Sequence, residues 1–276
     1  SYIPPSAWAW RKGRAKSCAR VADEIVAIFP HELPPYEAAG ANISFVGNPL
    51  IDTVRAEMGG EEARRHFGVT DGEIPVLLMP GSRREEIERL LPPMLGAAEI
   101  LVARDSMRRF FLPVAGGVDT AQIQRHLAAS SVEVTLTHDA RYALMGIARA
   151  AIAASGTVIM EAAIMGLPAV VLYRMSALSY LVGRLLVDVP RFSLPNILLG
   201  ETFETELLQD AVQPERIAAA MEDIIADGAA RDYVTEHLAR AVAVLGEPNA
   251  ARRVAEKILA LARSHGRAAD ENVQCS

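Results

Sequence analysis

P-V-L-L-M-P-G-S-R-R-E-E-I, residues 75–87, is the stretch on which the reading of this chain turns. Val76–Met79 is apolar and long enough for a buried strand. Pro80-Gly81 breaks it, and a charged, helix-favouring segment follows at once. A strand that turns tightly into a helix leaves the first backbone N–H groups free, at the positive end of the helix dipole. Gly81 lets a ligand approach that backbone, Ser82 can cap or donate, and Arg83 offers a planar fork to phosphate oxygens. From this turn alone, an ordinary βα turn with a surface arginine is as good a reading.

Outward from this turn the same rhythm repeats. Strands are expected at 76–79, 109–114, 132–136, 150–154 and 169–173, with helices at 84–103, 119–129, 139–148 and 157–165 between them. Such alternation predicts a parallel sheet covered on both faces. Upstream, a strand at 25–29, a helix at 31–39 and a strand at 43–46 form another βαβ unit, and a charged helix over 52–66 is expected as a boundary. Beyond Arg174 the pattern is helical, at 177–187, 202–209, 214–227 and 229–262, with a break near Gly246–Pro248 and a frayed tail from Ala268. Ala150–Tyr173 is apolar enough to suggest a membrane span, but Glu161, Ser155-Gly156-Thr157 and Gly166-Leu167-Pro168 interrupt it. Strand, turn, helix, turn and strand explain each interruption.

Ser155-Gly156-Thr157 is a second strand-to-helix turn. In open α/β sheets ligands sit at the carboxyl ends of strands, so both turns are expected on one edge, facing a diphosphate. Glu161 is out of register for a capping box begun at Thr157, where position 160 is Met160. A carboxylate in an apolar helix needs partners. The two hydroxyls of a ribose would serve, and so would a structural ion pair. Arg174, after the strand 169–173, is expected on the same edge. Asn196 in Ser193-Leu194-Pro195-Asn196 could bond a sugar or simply make a turn.

Bulk properties narrow the classes. At 276 residues, with 51% hydrophobic and 22% charged residues, the chain is ordinary globular material for one or two domains. A formal charge of −6 argues against a general nucleic-acid binder. Cys18 and Cys275 lie far apart, as in a reducing compartment, and the six histidines form no H-x-x-x-H pair, so no metal and no cofactor is expected. The chain has no initiator methionine and starts in mid-pattern, as though cut from something longer.

Together these words resemble the lipid-A-disaccharide synthase family of glycosyltransferases. They are P-S-A-W-A-W-R at 5–11, F-V-G-N-P-L at 45–50, P-G-S-R-x-x-E at 80–86, A-S-G-T-x-x-x-E at 154–161, Y-R-M at 173–175, S-L-P-N at 193–196 and E-L-L-Q at 206–209. The resemblance implies a GT-B architecture. Residues 1–60 would be the remnant of an acceptor-side Rossmann-like domain and 61–198 the donor domain. Residues 199–276 would be C-terminal helices, exchanged in a homodimer. It implies transfer of 2,3-diacylglucosamine from its UDP derivative to 2,3-diacylglucosamine 1-phosphate, at the inner face of the inner membrane.

The donor would be held by Gly81, Ser82, Arg83, Glu86, Ser155, Gly156, Thr157, Glu161, Arg174, Asn196 and Gln209, with Arg83 stabilising the leaving group. Gln209 could complete a partner's site. The family's carboxylate base is expected upstream of residue 1, so residues 1–276 alone are expected to bind donor without turnover. Asn48 stands where the family often has histidine. Trp8 and Trp10, beside the basic residues Arg11, Lys12, Arg14, Lys16 and Arg20, could meet acyl chains or a membrane, or be core contacts of the first domain. The basic residues could meet anionic lipid or the acceptor phosphate, or form a solvated helix face. Two rivals remain: another UDP-sugar enzyme of this architecture, such as a peptidoglycan transferase or an epimerase, and a non-catalytic nucleotide-sugar-binding protein.

Overall fold

The computed structural model describes residues 1–6, 13–176 and 190–274. Trp8, Trp10 and the helix expected over 177–187 therefore lie outside the described residues. The chain divides into two units, residues 1–53 with 244–276 and residues 54–243.

The first unit contains helix α1 (Gly13–Val21), strand β1 (Ile25–Ala27), a short 3-10 turn at Pro30–Glu32, α2 (Leu33–Glu37), β2 (Ile43–Phe45) and α3 (Leu50–Thr53). β1 and β2 pair in parallel, Ile25 opposite Ile43. Ala15, Ile25 and Tyr36 are fully buried between the strand and the two helices, and the Tyr36 hydroxyl donates to the Pro5 carbonyl at 2.7 Å. Asn48 is buried. Its amide donates to the Ile28 carbonyl and its oxygen accepts from Leu50 N–H, so it fixes a turn.

The second unit runs α4 (Gly60–His66), β3 (Ile74–Met79), α5 (Arg84–Arg104), β4 (Arg108–Pro113), α6 (Thr120–Leu127), β5 (Val134–Thr137), α7 (Arg141–Ile147), β6 (Ala150–Ala154), α8 (Thr157–Ile164) and β7 (Ala169–Tyr173). After residue 190 come α9 (Leu194–Leu199), β8 (Glu206–Leu208), α10 (Pro214–Ile225) and α11 (Ala229–Ala243). Six strands form one parallel sheet in the order β5-β4-β3-β6-β7-β8. β6 and nearly all of β3 and β7 are buried on both faces, which is why they read as continuous apolar runs. Leu77, Met79, Phe111, Ala151, Ala153, Ala169 and Val171 point to one face, where α7 and α8 add Leu144, Met145, Ile159 and Ala162. The alternate residues, such as Val76, Leu78 and Ile152, point to the opposite face. Ala150–Tyr173 is thus buried α/β core, as the interruptions in its sequence required.

Four sequence expectations are revised. The helix over 52–66 is two helices, because Gly59 takes an extended conformation as the N-cap of α4. The segment 202–209 contains a strand: β8 completes the free edge of β7, with Leu207 opposite Leu172, and edge pairing overrides its helical pattern. Ser193–Asn196 opens a helix, α9, with Ser193 as its N-cap. The helix expected over 229–262 breaks where predicted, and its second part, α12 (Ala250–Gln274), belongs to the first unit, where it is held near its start. The Asp52 carboxylate accepts from Asn249 and Ala250 N–H, Arg253 donates to the Val46 carbonyl, and Lys257 pairs with Glu24. The observed division therefore places 54–60 and 199–243 in the sheet unit and 244–276 with the N-terminal unit, where boundaries at 60 and 198 were expected.

Candidate functional site

The chain builds β3, β4 and β5 outward in one direction, then crosses back to lay β6, β7 and β8 on the other side of β3. Connections leave β3 and β6 in opposite directions, and the sheet opens a crevice at their carboxyl ends. A cleft of about 630 Å³ lies there, lined by the ends of β3, β4, β5 and β6. The Pro80–Arg83 turn and the Ser155–Thr157 turn share it, as neighbouring strands whose ends align at Met79 and Ala153 require.

On the β3 side Gly81 has φ +101°, and a Cβ there would collide with the Glu86 carboxylate. Glycine is required because Glu86 curls back over the turn. Its carboxylate accepts from Arg83 N–H at 3.3 Å and from the Arg83 guanidinium at 3.0 Å. Glu86 is thus a helix cap that lines the cleft, and it leaves the Arg83 side chain 84% exposed. Ser82 is exposed at the start of α5.

On the β6 side the N-cap of α8 is Gly156, with no side chain capping it, and Thr157 is the first helical residue. The first N–H groups of α8 have no intrahelical acceptor and open onto the cleft. The Ser155 hydroxyl donates to the Phe192 carbonyl at 2.9 Å, which fixes the turn.

Glu161 faces the cleft from α8 and is nearly buried. Its Oε2 lies 3.2 Å from the Arg141 guanidinium, within ion-pair range but not aligned for a hydrogen bond, and is buried without a hydrogen-bond partner. Burial pushes the Glu161 carboxyl above its ordinary pKa, against the opposing pull of Arg141 and a hydrogen bond from Tyr142. The lone carboxylate of the sequence reading therefore has a cation beside it.

The remaining candidates fall elsewhere. Arg174 follows β7 and does not line the cleft. Asn196 is fully buried: its amide donates to the Glu204 carbonyl and the Glu206 carboxylate, and its oxygen accepts from Phe203 and Glu204 N–H. Its bonding capacity is spent within its own loop, with none left for a sugar. Gln209 is likewise engaged, bracketing the backbone of Met175 through both amide atoms.

Sequence reasoning missed the β5 side of the cleft. Thr137 to Arg141 line it, with Ala140 in the left-handed region at φ 44° and Asp139 paired to His66 at 3.0 Å. Glu57, from the segment before α4, also lines it and accepts from Ala143 N–H at 2.7 Å. Their positions after a parallel strand were a usable signal. Nothing in their spacing tied Arg141 to Glu161.

Two helix N-termini and an exposed guanidinium converge on one cleft, which suits a polyanion such as a diphosphate. Beside them Glu161, a nearly buried acid with a guanidinium 3.2 Å away, lines the same cleft and suits paired hydroxyls.

Comparison with known proteins agrees with the sequence resemblance. The family described as lipid-A-disaccharide synthetase matches residues 1–260. Lipid-A-disaccharide synthase from Syntrophus aciditrophicus is 42% identical over 261 residues, 94% of this chain and 68% of that protein. The Geobacter sulfurreducens protein of the same name is 42% identical over 94% of this chain and 67% of its own length.

Among solved structures, a putative UDP-N-acetylglucosamine 2-epimerase from Listeria monocytogenes aligns with a TM-score of 0.62 at 19% identity, over 95% of this chain and 67% of that one. MurG from Acinetobacter baumannii aligns at 0.52 and 18%, over 89% and 62%. These likenesses show the fold, which is the expected GT-B type. The chain belongs to the lipid-A-disaccharide synthetase family.

Proposed function

We propose that this chain provides the donor side of the reaction its family is named for. In it 2,3-diacylglucosamine passes from its UDP derivative to 2,3-diacylglucosamine 1-phosphate, releasing UDP. One observation carries the assignment of the site: the two turns expected to hold a diphosphate, 80–83 and 155–157, line a single cleft at the point where the strand order reverses. The first N–H groups of α5 and α8 take the diphosphate, and Arg83 supports the charge that develops on departing UDP. Ser82 and Thr157 stand at the two helix starts to donate to it. Gly81 and Gly156 keep the backbone accessible. Glu161 accepts the ribose hydroxyls.

Asn196 and Gln209, placed in the donor site by the resemblance, act instead as braces for the loops behind it, and Glu86 as a brace for Arg83. Arg174, one strand from the crevice, is left without a donor contact. A homodimer and a peripheral position at the inner membrane rest on the family resemblance. No helix among the described residues is long and apolar enough to cross a membrane.

Calorimetric titration of the 276-residue protein with UDP and uridine tests the site, and UDP release from acylated donor and acceptor tests the reaction. Saturable UDP binding that weakens in Arg83→Ala is expected. Absence of UDP binding to the folded protein overturns the assignment.

A further inference from the structure

Arg141 comes to the cleft from the end of β5, three strand positions from the β6 turn that carries Glu161 on α8. It is fixed there at several points. Its guanidinium lies 4.7 Å from the centre of the Tyr142 ring and donates to the Tyr142 hydroxyl at 2.7 Å. The start of α7 beneath it is pinned by the Glu57 carboxylate on Ala143 N–H. The pair it makes with Glu161 is lopsided. The Arg141 side chain is half exposed, the Glu161 side chain is 11% exposed, and the contact is close without being a closed hydrogen bond.

A pair that only stabilised the fold would align its donor with the carboxylate, because a buried acid left with an open oxygen is costly. Here the guanidinium lies 3.2 Å from a buried Oε2 without closing a hydrogen bond, and Glu161 itself lines the cleft. The groups acting on Glu161 are Arg141 and Tyr142, both from α7. β6 and α9 carry no ionisable residue, and β7 carries Tyr173 alone. From α11, Arg231 is spent on backbone carbonyls, while Arg240 and His237 meet Glu201. Asp232, Tyr233 and Glu236, also on α11, do not act on the carboxylate.

We propose that Arg141 is a positioning residue for Glu161, keeping its carboxylate charged at the cleft so that it accepts both hydroxyls of the nucleotide ribose. This rests on the reading of Glu161 as the diol acceptor. The two roles separate by experiment. UDP and 2′,3′-dideoxy-UDP are titrated into wild type, Arg141→Gln, Arg141→Lys and Glu161→Gln from about pH 5.5 to about pH 8.5.

Wild type is expected to prefer UDP, and Glu161→Gln to lose that preference at every pH. In Arg141→Gln the acid limb of the preference moves up in pH. About tenfold or more of it is lost near pH 6 and it returns near pH 8.5, since tenfold corresponds to one pKa unit. Arg141→Lys keeps the wild-type profile. If Glu161→Gln loses the preference but Arg141→Gln keeps the wild-type profile, the positioning role is overturned and the diol reading stands. A loss in Arg141→Gln that does not return at high pH overturns the role as well. If Glu161→Gln keeps the wild-type preference, the diol reading falls and the positioning role with it.

Discussion

Gly81–Arg83 and Ser193–Asn196 are both short polar stretches at the start of a helix, and the fold uses them in opposite ways. The first ends a central strand at the crevice and leaves its arginine almost wholly in solvent, tied to Glu86. The second lies behind the cleft, where Ser193 and Asn196 are fully buried and saturated by Glu204 and Glu206. The second stretch nevertheless reaches the cleft through the β6 turn. Glu206 also takes Phe192 N–H, and the Phe192 carbonyl receives the Ser155 hydroxyl at the rim. One stretch has unspent bonding capacity and suits a ligand; the other spends all of it on shape. Free capacity at a cleft, and not polarity alone, separates binding from bracing.

If that contrast is right, Asn196→Ala should be the most damaging change to stability. It strands two N–H donors, a carbonyl and part of a buried carboxylate site, and should cost on the order of 4 kcal/mol in urea denaturation. A loss below about 1 kcal/mol would return Asn196 to the ligand side.

Glu204 sharpens the same region through pH. Full burial pushes its carboxyl up to about 8, opposed by the Ser193 hydroxyl and the Ala169 backbone and reinforced by Glu206. The folded state therefore holds a proton there that the unfolded chain releases above the ordinary carboxylate range. Its contribution is fully present at acid pH and is lost as pH rises through about 8. Glu204→Gln should flatten that decline and gain about 2 kcal/mol at alkaline pH relative to wild type, read from thermal melts across the range. A wild-type slope that persists in the variant breaks the assignment.

Ser155→Ala should cost about 1 kcal/mol, the worth of its bond to Phe192, and loosen UDP binding as the turn relaxes. Arg83→Ala should change stability least, within about 0.5 kcal/mol, because its pair with Glu86 is solvent-screened. Its effect belongs to the ligand: UDP affinity should fall about tenfold or more while uridine affinity holds. Equal loss for both ligands contradicts a phosphate role.

Much of this was legible in residues. The runs Val76–Met79 and Ala150–Ala154, each ended by a glycine-bearing turn, predicted central parallel strands and their shared edge, because central strands are apolar on both faces and turn chemistry is local. β8 was not legible, since a three-residue edge strand is decided by the partner that β7 offers and not by its own pattern. The site divides in the same way. Glu161 stood out as an acid in an apolar helix, whereas Arg141 matters through a contact across the cleft that no spacing encodes. Asn196 showed the converse, a residue in a recognisable word whose partners, Glu204 and Glu206, follow it in sequence and consume it.

The return of residues 244–276 to the N-terminal unit has a bearing on synthesis. Segments emerging first usually fold first. Here β1, β2 and α3 precede the sheet unit by translation, but Asp52 and Glu24 meet their partners Asn249, Ala250 and Lys257 only after the whole sheet unit has left the ribosome. The contacts that tie α12 to Asp52 and Glu24 thus close only after residues 54–243 have been made.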